Sequence, residues 1–132
     1  MTQQTISLTA SNLKYLLALS DLSPKGESVR CVDVARRLDV ARPSALRALE
    51  CLQGLGIFQK TQAGGWSLTG YGRELARRYR KYYEDVGLLF YRLLPPEADH
   101  QSLIFSVLSQ VPLEEMDGVC RKIRRAAGEG LQ

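Results

Sequence analysis

The chain has one histidine, His100, among its 132 residues. Metal centres and nucleophile–base pairs usually draw on several imidazoles, so most hydrolase schemes are excluded at the outset. Its three cysteines, Cys31, Cys51 and Cys120, are odd in number, widely spaced and without a C-x-x-C pair. Neither a disulfide framework nor a zinc clip is signalled, and the thiols read as buried and free. A thiol enzyme would need one of them beside His100, and nothing in the sequence brings any of them there, so the protein is not expected to be an enzyme. No run approaches the roughly 20 apolar residues that span a bilayer. The start, Met1-Thr2-Gln3-Gln4, lacks the basic and apolar regions of a signal peptide, so the expected location is cytoplasmic, with no membrane partner.

What is present is enough apolar sequence, 45%, for one core, and a net charge of +4 from 18 basic and 14 acidic residues. The basic lean favours an anionic partner without naming one. Repeats and low-complexity tracts are absent, and the apolar spacing is almost entirely helical. The first helix runs from Thr9 or Ser11 to Leu22, with Leu13, Leu16, Leu17 and Leu19 at helical spacing, and Ser23-Pro24-Lys25-Gly26 ends it. After the short β-like Ser28-Val29-Arg30, the segment Val32–Leu38 places Val34, Ala35 and Leu38 on one face and Arg36 and Arg37 opposite. Asp39-Val40-Ala41 connects it tightly to a helix opened by Pro43 and ending at Gly54 or Gly56. Two helices three residues apart predict a helix-turn-helix.

Ile57–Gln62 and Trp66–Thr69 flank Ala63-Gly64-Gly65 as a hairpin, the paired glycines supplying the positive φ of a tight turn. A hairpin directly after the second helix of such a pair is a wing. Thr69 then caps a long helix to Leu94, stopped by Pro95-Pro96, and helices over Asp99–Gln110 and Leu113–Ala127 precede a short Gly-Glu-Gly-Leu-Gln tail. The expected fold class is mostly α: residues 1–72 form a winged helix-turn-helix domain of three helices and a two- to three-stranded wing, and residues 73–132 a helical dimerisation region continuous with it.

In a helix-turn-helix the start of the second helix enters the major groove. Ala45, Ala48, Leu49 and Leu52 form its inward face, leaving Arg42, Pro43, Ser44, Leu46 and Arg47 outward, with nothing acidic before Glu50. Arg47 has the fork to meet guanine O6 and N7, Leu46 suits a thymine methyl, and Ser44 a phosphate or base edge. Lys60, Thr61 and Gln62 at the wing tip carry no negative charge, which suits a phosphate backbone or minor groove.

From Thr9 to about Arg78 the chain resembles the winged-helix half of the DtxR/MntR family of metal-dependent transcriptional repressors. The matching features are Tyr15-Leu16, Val32-Asp33-Val34-Ala35-Arg36-Arg37-Leu38, Pro43-Ser44, Leu55-Gly56-Ile57, and Leu68-Thr69 with Gly72-Arg73-Glu74-Leu75-Ala76. The resemblance implies a homodimer on double-stranded DNA carrying a palindromic operator, with Pro43, Ser44 and Arg47 on DNA. Ala41 departs from the pattern, standing where a serine commonly caps the recognition helix and touches phosphate. The resemblance also implies manganese or iron, held by Asp or Met, Glu, Cys and His. Here Lys14 and Leu17 fall at the first-helix ligand positions and Tyr82 and Val86 at those of the long helix. Glu84 and Asp85 are expected to point elsewhere, and Phe105–Ser109 falls where the next helix would supply ligands. His100 and Asp99 remain near that helix's start, His100 reading as a surface or capping residue. No cofactor is therefore predicted, and the family's metal site reads as lost.

The seam Leu75, Tyr79, Tyr82, Val86, Leu89, Leu93 repeats at heptad-type spacing and wants helices packed against it. Phe90, Leu94, Leu103, Ile104, Val107, Leu108, Val111, Leu113, Met116, Val119 and Ile123 exceed what a winged helix needs to close its core, so part of them is expected at a dimer interface. Arg36, Arg37, Arg73 and Arg77 are possible phosphate contacts. The clusters around Arg73–Lys81 and Arg121–Arg125 read equally as solvated faces. The function expected is thus a dimeric, sequence-specific transcriptional regulator not controlled by the family's metal site. The alternative is a winged-helix module for protein interaction or ligand sensing that does not bind DNA specifically.

Overall fold

A computed structural model describes residues 7–130. The start Met1–Gln4 and the tail residues Leu131 and Gln132 lie outside the described residues. Six helices and one hairpin follow in the order α1 (Ala10–Leu22), α2 (Cys31–Leu38), α3 (Arg42–Gly54), β1 (Phe58–Lys60), β2 (Trp66–Leu68), α4 (Gly70–Leu93), α5 (His100–Gln110) and α6 (Leu113–Gly130). They fall into two compact units, Ser11–Arg78 and a second made of Tyr79 onward with the residues just before Ser11.

In the first unit α1 is buried around most of its circumference, through Leu13, Tyr15, Leu16, Leu17, Ala18 and Leu19. Ser11 and Asp21 keep to its one exposed side, so the helix packs into the core along most of its surface. Val34 and Ala35 of α2 and Ala45, Leu49 and Leu52 of α3 are buried as the apolar spacing predicts, while Leu38 and Ala48, expected on the same faces, are half-buried. β1 and β2 pair antiparallel, with Lys60 opposite Trp66, and Val29 exchanges backbone hydrogen bonds with the other edge of Trp66 at 2.7 and 2.8 Å. The wing is two full strands and a one-residue third. Trp66, 1% exposed, anchors it.

The two turn glycines do different work from that expected. Only Gly64 has positive φ, +83°; Gly65 is needed because a Cβ there would lie 2.3 Å from Ser28 Oγ and 2.9 Å from the Val29 carbonyl oxygen. A second close approach fixes the start of α4: a Cβ on Gly72 would stand 2.1 Å from the carbonyl oxygen of Ile57. Thr69 holds the same junction, its hydroxyl donating to Gly56 O at 2.6 Å and accepting from the Gly72 amide at 2.9 Å, the N-cap bond its sequence position predicts.

In the second unit Tyr79, Tyr82 and Val86 of the α4 seam are buried with Ile104, Phe105, Leu108, Met116 and Cys120. The seam does not reach Leu93, which is 66% exposed. Ile104, Leu108 and Met116, counted among residues in excess of the core, are fully buried within this chain and cannot also face a partner. α6 continues to Gly130 rather than stopping at Ala127. A helical glycine costs only about 1 kcal/mol relative to alanine, and no proline intervenes to stop the helix. His100 is also placed differently: Asp99 is the cap, accepting from the Ser102 amide at 3.2 Å, while the imidazole is buried, stacked on Tyr91 at 4.4 Å with Nε2 2.9 Å from Pro95 O. Asp85 turns inward, buried beside Arg124 at 3.5 Å. Of the three thiols only Cys120 is buried; Cys31 is half-buried and Cys51 exposed, since position 51 falls on the outward side of α3.

Candidate nucleic-acid interface

α2 and α3 are joined by Asp39, Val40 and Ala41. Asp39 takes a left-handed φ of 54°, and its amide and that of Val40 close onto the end of α2 at 3.2 and 3.0 Å. Aspartate is among the few residues that enter this region at small cost, so the chain can reverse without glycine. The reversal lays α3 against α2 with Ala45, Leu49 and Leu52 inward and 0% exposed. The opposite arc is then fixed: Arg42, Pro43, Leu46 and Arg47 are exposed and Ser44 half-buried. Among the described residues neither Arg42 nor Arg47 has a carboxylate partner.

Ala41 occupies the N-cap of α3 and no side chain caps the helix. The first-turn amides therefore have neither an intrahelical nor a side-chain acceptor, and they form the positive end of the helix dipole. A basic, uncapped helix start attracts anions.

The wing residues are placed less uniformly. The Lys60 ammonium lies over the Trp66 ring at 5.3 Å. The Thr61 hydroxyl is engaged inside the wing, 2.7 Å from Ser28 Oγ and accepting from the Gly65 amide at 3.1 Å. Gln62 stands exposed at the tip.

The four arginines named as possible phosphate contacts all have internal partners. Arg36 lies 3.7 Å from Asp33 and Arg37 3.2 Å from Asp21. Arg73 donates to Leu68 O at 3.3 Å. Arg77 donates to both Glu74 oxygens at 2.6 and 2.7 Å, and its guanidinium holds that carboxyl below the usual carboxylate range. Exposed pairs of this kind add little to stability. The i,i+3 partner of Arg77 was visible in the sequence; the partner of Arg37, sixteen residues away, was not.

The metal positions implied by the resemblance do not fit a metal. Leu17 and Val86 are apolar and buried, 3% and 1% exposed, and the buried Tyr82 spends its hydroxyl on Asp117 Oδ1 at 2.8 Å. Lys14 offers a cation where a ligand would be needed. Among the described residues no group of three or more His, Cys, Asp or Glu side chains is placed to hold a metal ion. Nor is any described helix long and apolar enough to cross a membrane.

No family model matches the sequence, and no curated protein matches it. Solved structures do. A hypothetical protein from Sulfolobus solfataricus superposes with a TM-score of 0.62 at 19% identity, over 92% of this chain and 91% of its own. IdeR of T. acidophilum gives a TM-score of 0.65 at 22% identity, over 91% of this chain and 55% of its own. The metal-dependent transcriptional regulator MtsR gives 0.69 at 18% identity, over 89% of this chain and 55% of its own. The chain thus spans little more than half the length of those two regulators. The resemblance carried by Tyr15-Leu16, the α2 segment and Gly72-Arg73-Glu74 is borne out in three dimensions: the chain has the fold of the DtxR-type metal-dependent regulators, a winged helix continued into a helical region.

Proposed function

We propose that the protein is a sequence-specific DNA-binding transcriptional regulator, dimeric through residues 73–132, that reads a palindromic operator with the α3 arc and the wing of residues 1–72. The observation that carries this reading is the α3 surface itself: Ala45, Leu49 and Leu52 buried on the inner face, opposite an exposed Arg42, Pro43, Leu46 and Arg47 and a half-buried Ser44, without a competing carboxylate. Two such helices about 34 Å apart on a two-fold axis turn a weak half-site contact into a specific one. It works as a cytoplasmic protein, and no catalytic step is assigned to it.

Regulation does not run through the metal site of the fold relatives, because Lys14, Leu17, Tyr82 and Val86 offer no ligand set. The test is selection of a bound site from random duplex DNA, followed by titration of that site with and without manganese, iron and chelator. A selected palindrome whose affinity is indifferent to metal is the expected result. Manganese tightening binding tenfold would overturn the regulatory half, and recovery of no preferred sequence would overturn the DNA half.

The competing reading is a winged-helix interaction or ligand-sensing module. Leu88, Tyr91, Leu93 and Leu103, from 39 to 67% exposed, favour it. Under that reading charge reversal at Arg42 and Arg47 leaves partner binding intact.

A further inference from the structure

α6 carries a second cationic face that α3 and the wing do not account for. Arg121, Lys122 and Arg125 are all exposed, and among the described residues none has an ion-pair or hydrogen-bond partner. At 3.6 residues per turn Arg121 and Arg125 fall one turn apart, about 6 Å along the axis, on the arc opposite the buried Met116 and Cys120, with Lys122 at their flank. No acidic residue lies between Gly118 and Gly128. Gly118 sits on the same arc one turn earlier, where a Cβ would meet only the Arg121 guanidinium at 3.7 Å, and a Cβ on Gly128 would meet nothing within 4 Å. The cations are therefore bracketed by bare backbone, which lets an extended polyanion approach closely.

Two ordinary explanations for such cations do not apply. Interaction with the helix dipole is confined to the last turn, and the last turn of α6 holds no basic residue. Internal pairing accounts for their neighbours: Arg124 is spent on Asp85, and in α4 Arg73, Arg77, Arg78 and Arg80 all have partners. Of the acidic residues of α6, Glu114, Glu115 and Asp117 stand toward its start, where Asp117 accepts from Tyr82, and Glu129 follows Gly128 at its end.

We propose that Arg121, Lys122 and Arg125 form a sequence-independent contact with the phosphate backbone of double-stranded DNA, additional to the α3 contact. This rests on the DNA-binding reading above. Three cations at this spacing can each neutralise a phosphate, since one strand presents a charge about every 3.4 Å of axis.

The test is salt-dependent binding of the full chain to 20- and 40-base-pair duplexes, with R121A/K122A/R125A and R47A compared with the parent. Circular dichroism melting shows that each variant folds. The triple variant is expected to lower the slope of log affinity against log salt by about 2 to 3, and to weaken binding equally on every sequence. R47A is expected to change sequence preference instead. R121K/R125K, which keeps the charges, should retain the parent slope. An unchanged slope in the triple variant, with the parent binding DNA normally, overturns this proposal and leaves the α3 reading standing. Loss of binding to phosphatidylserine vesicles with DNA binding intact overturns it in favour of a lipid surface. A parent protein that binds no duplex at all overturns the α3 reading as well.

Discussion

The arginines of α3 and those of α2 and the start of α4 are the same residue on the same kind of surface, an exposed helical face within one compact unit. They differ in what the fold places beside them. Arg36, Arg37, Arg73 and Arg77 each have an internal acceptor within 3.7 Å, whereas Arg42 and Arg47 have no carboxylate partner among the described residues. Charge density alone would have ranked the start of α4 first as a DNA surface. Partnering argues for the reverse order, because a guanidinium already satisfied gains less from a phosphate than one that is not.

The strongest attack on this comparison is charge reversal on either side of it. R42E/R47E places two carboxylates on the α3 arc, and like charge against phosphate costs several kcal/mol, so specific DNA binding should fall by more than about 100-fold. R36E/R77E makes the same change in charge at paired positions, and its loss should be clearly smaller. Titration of the selected operator at one fixed salt concentration measures both. Equal losses would mean that pairing within the chain does not decide which arginines meet DNA.

The hairpin and the start of α4 meet at a close-packed junction. Gly72→Ala forces a methyl group to within 2.1 Å of the Ile57 carbonyl oxygen, which is backbone and cannot swing aside. A destabilisation of about 3 kcal/mol is expected, at the upper end of the usual overpacking range. Denaturant unfolding measures it. Gly118→Ala, where a Cβ meets only a flexible guanidinium at 3.7 Å, should be neutral or slightly stabilising.

Which of these features could be read from the sequence depends on how far apart their causes lie. The bounds of α1, α2 and α3 and the Thr69 cap follow from spacing within one element, and the sequence is sufficient for them. The inward Asp85 depends on Arg124 of α6, and the buried His100 on a tyrosine at the end of α4, so no local pattern announces either. Gly65 looks like a turn glycine until Ser28 and Val29 come up against it. The exposed arc of α3 was legible because it is the complement of a helical core stripe. The pairing state of its neighbours was not, since Asp21 meets Arg37 only after α1 and α2 pack.

A smaller effect lies at the start of α3. Ala41 at the N-cap leaves the first-turn amides without a side-chain acceptor. Ala41→Ser should raise unfolding stability by about 1 kcal/mol through the restored cap. It should also tighten DNA binding if the added hydroxyl meets a phosphate as the family pattern implies. A stability gain without an affinity gain would place the cap outside the interface.

The least conspicuous effect lies where an exposed arginine pairs with a buried carboxylate. Arg124 stands against Asp85, and the adjacent Cys120 thiol is pushed up from an ordinary 9.0 to about 11, first by burial and then by the Asp85 charge, with Arg124 opposing. A thiol whose folded pKa is raised is held protonated by the fold. Its contribution to stability is fully present below about pH 9 and is lost as pH rises toward about 11. Urea midpoints should therefore fall across that window, and Cys120→Ala should flatten that part of the profile even though it lowers stability at neutral pH. At pH 8 an alkylating reagent should modify the exposed Cys51 well before Cys120, since only the thiolate reacts and burial disfavours it. Equal rates at the two sites in the folded protein would mean that Cys120 and Asp85 do not sit in a closed interior, and the pairing that separates Arg124 from Arg121 and Arg125 would lose its basis.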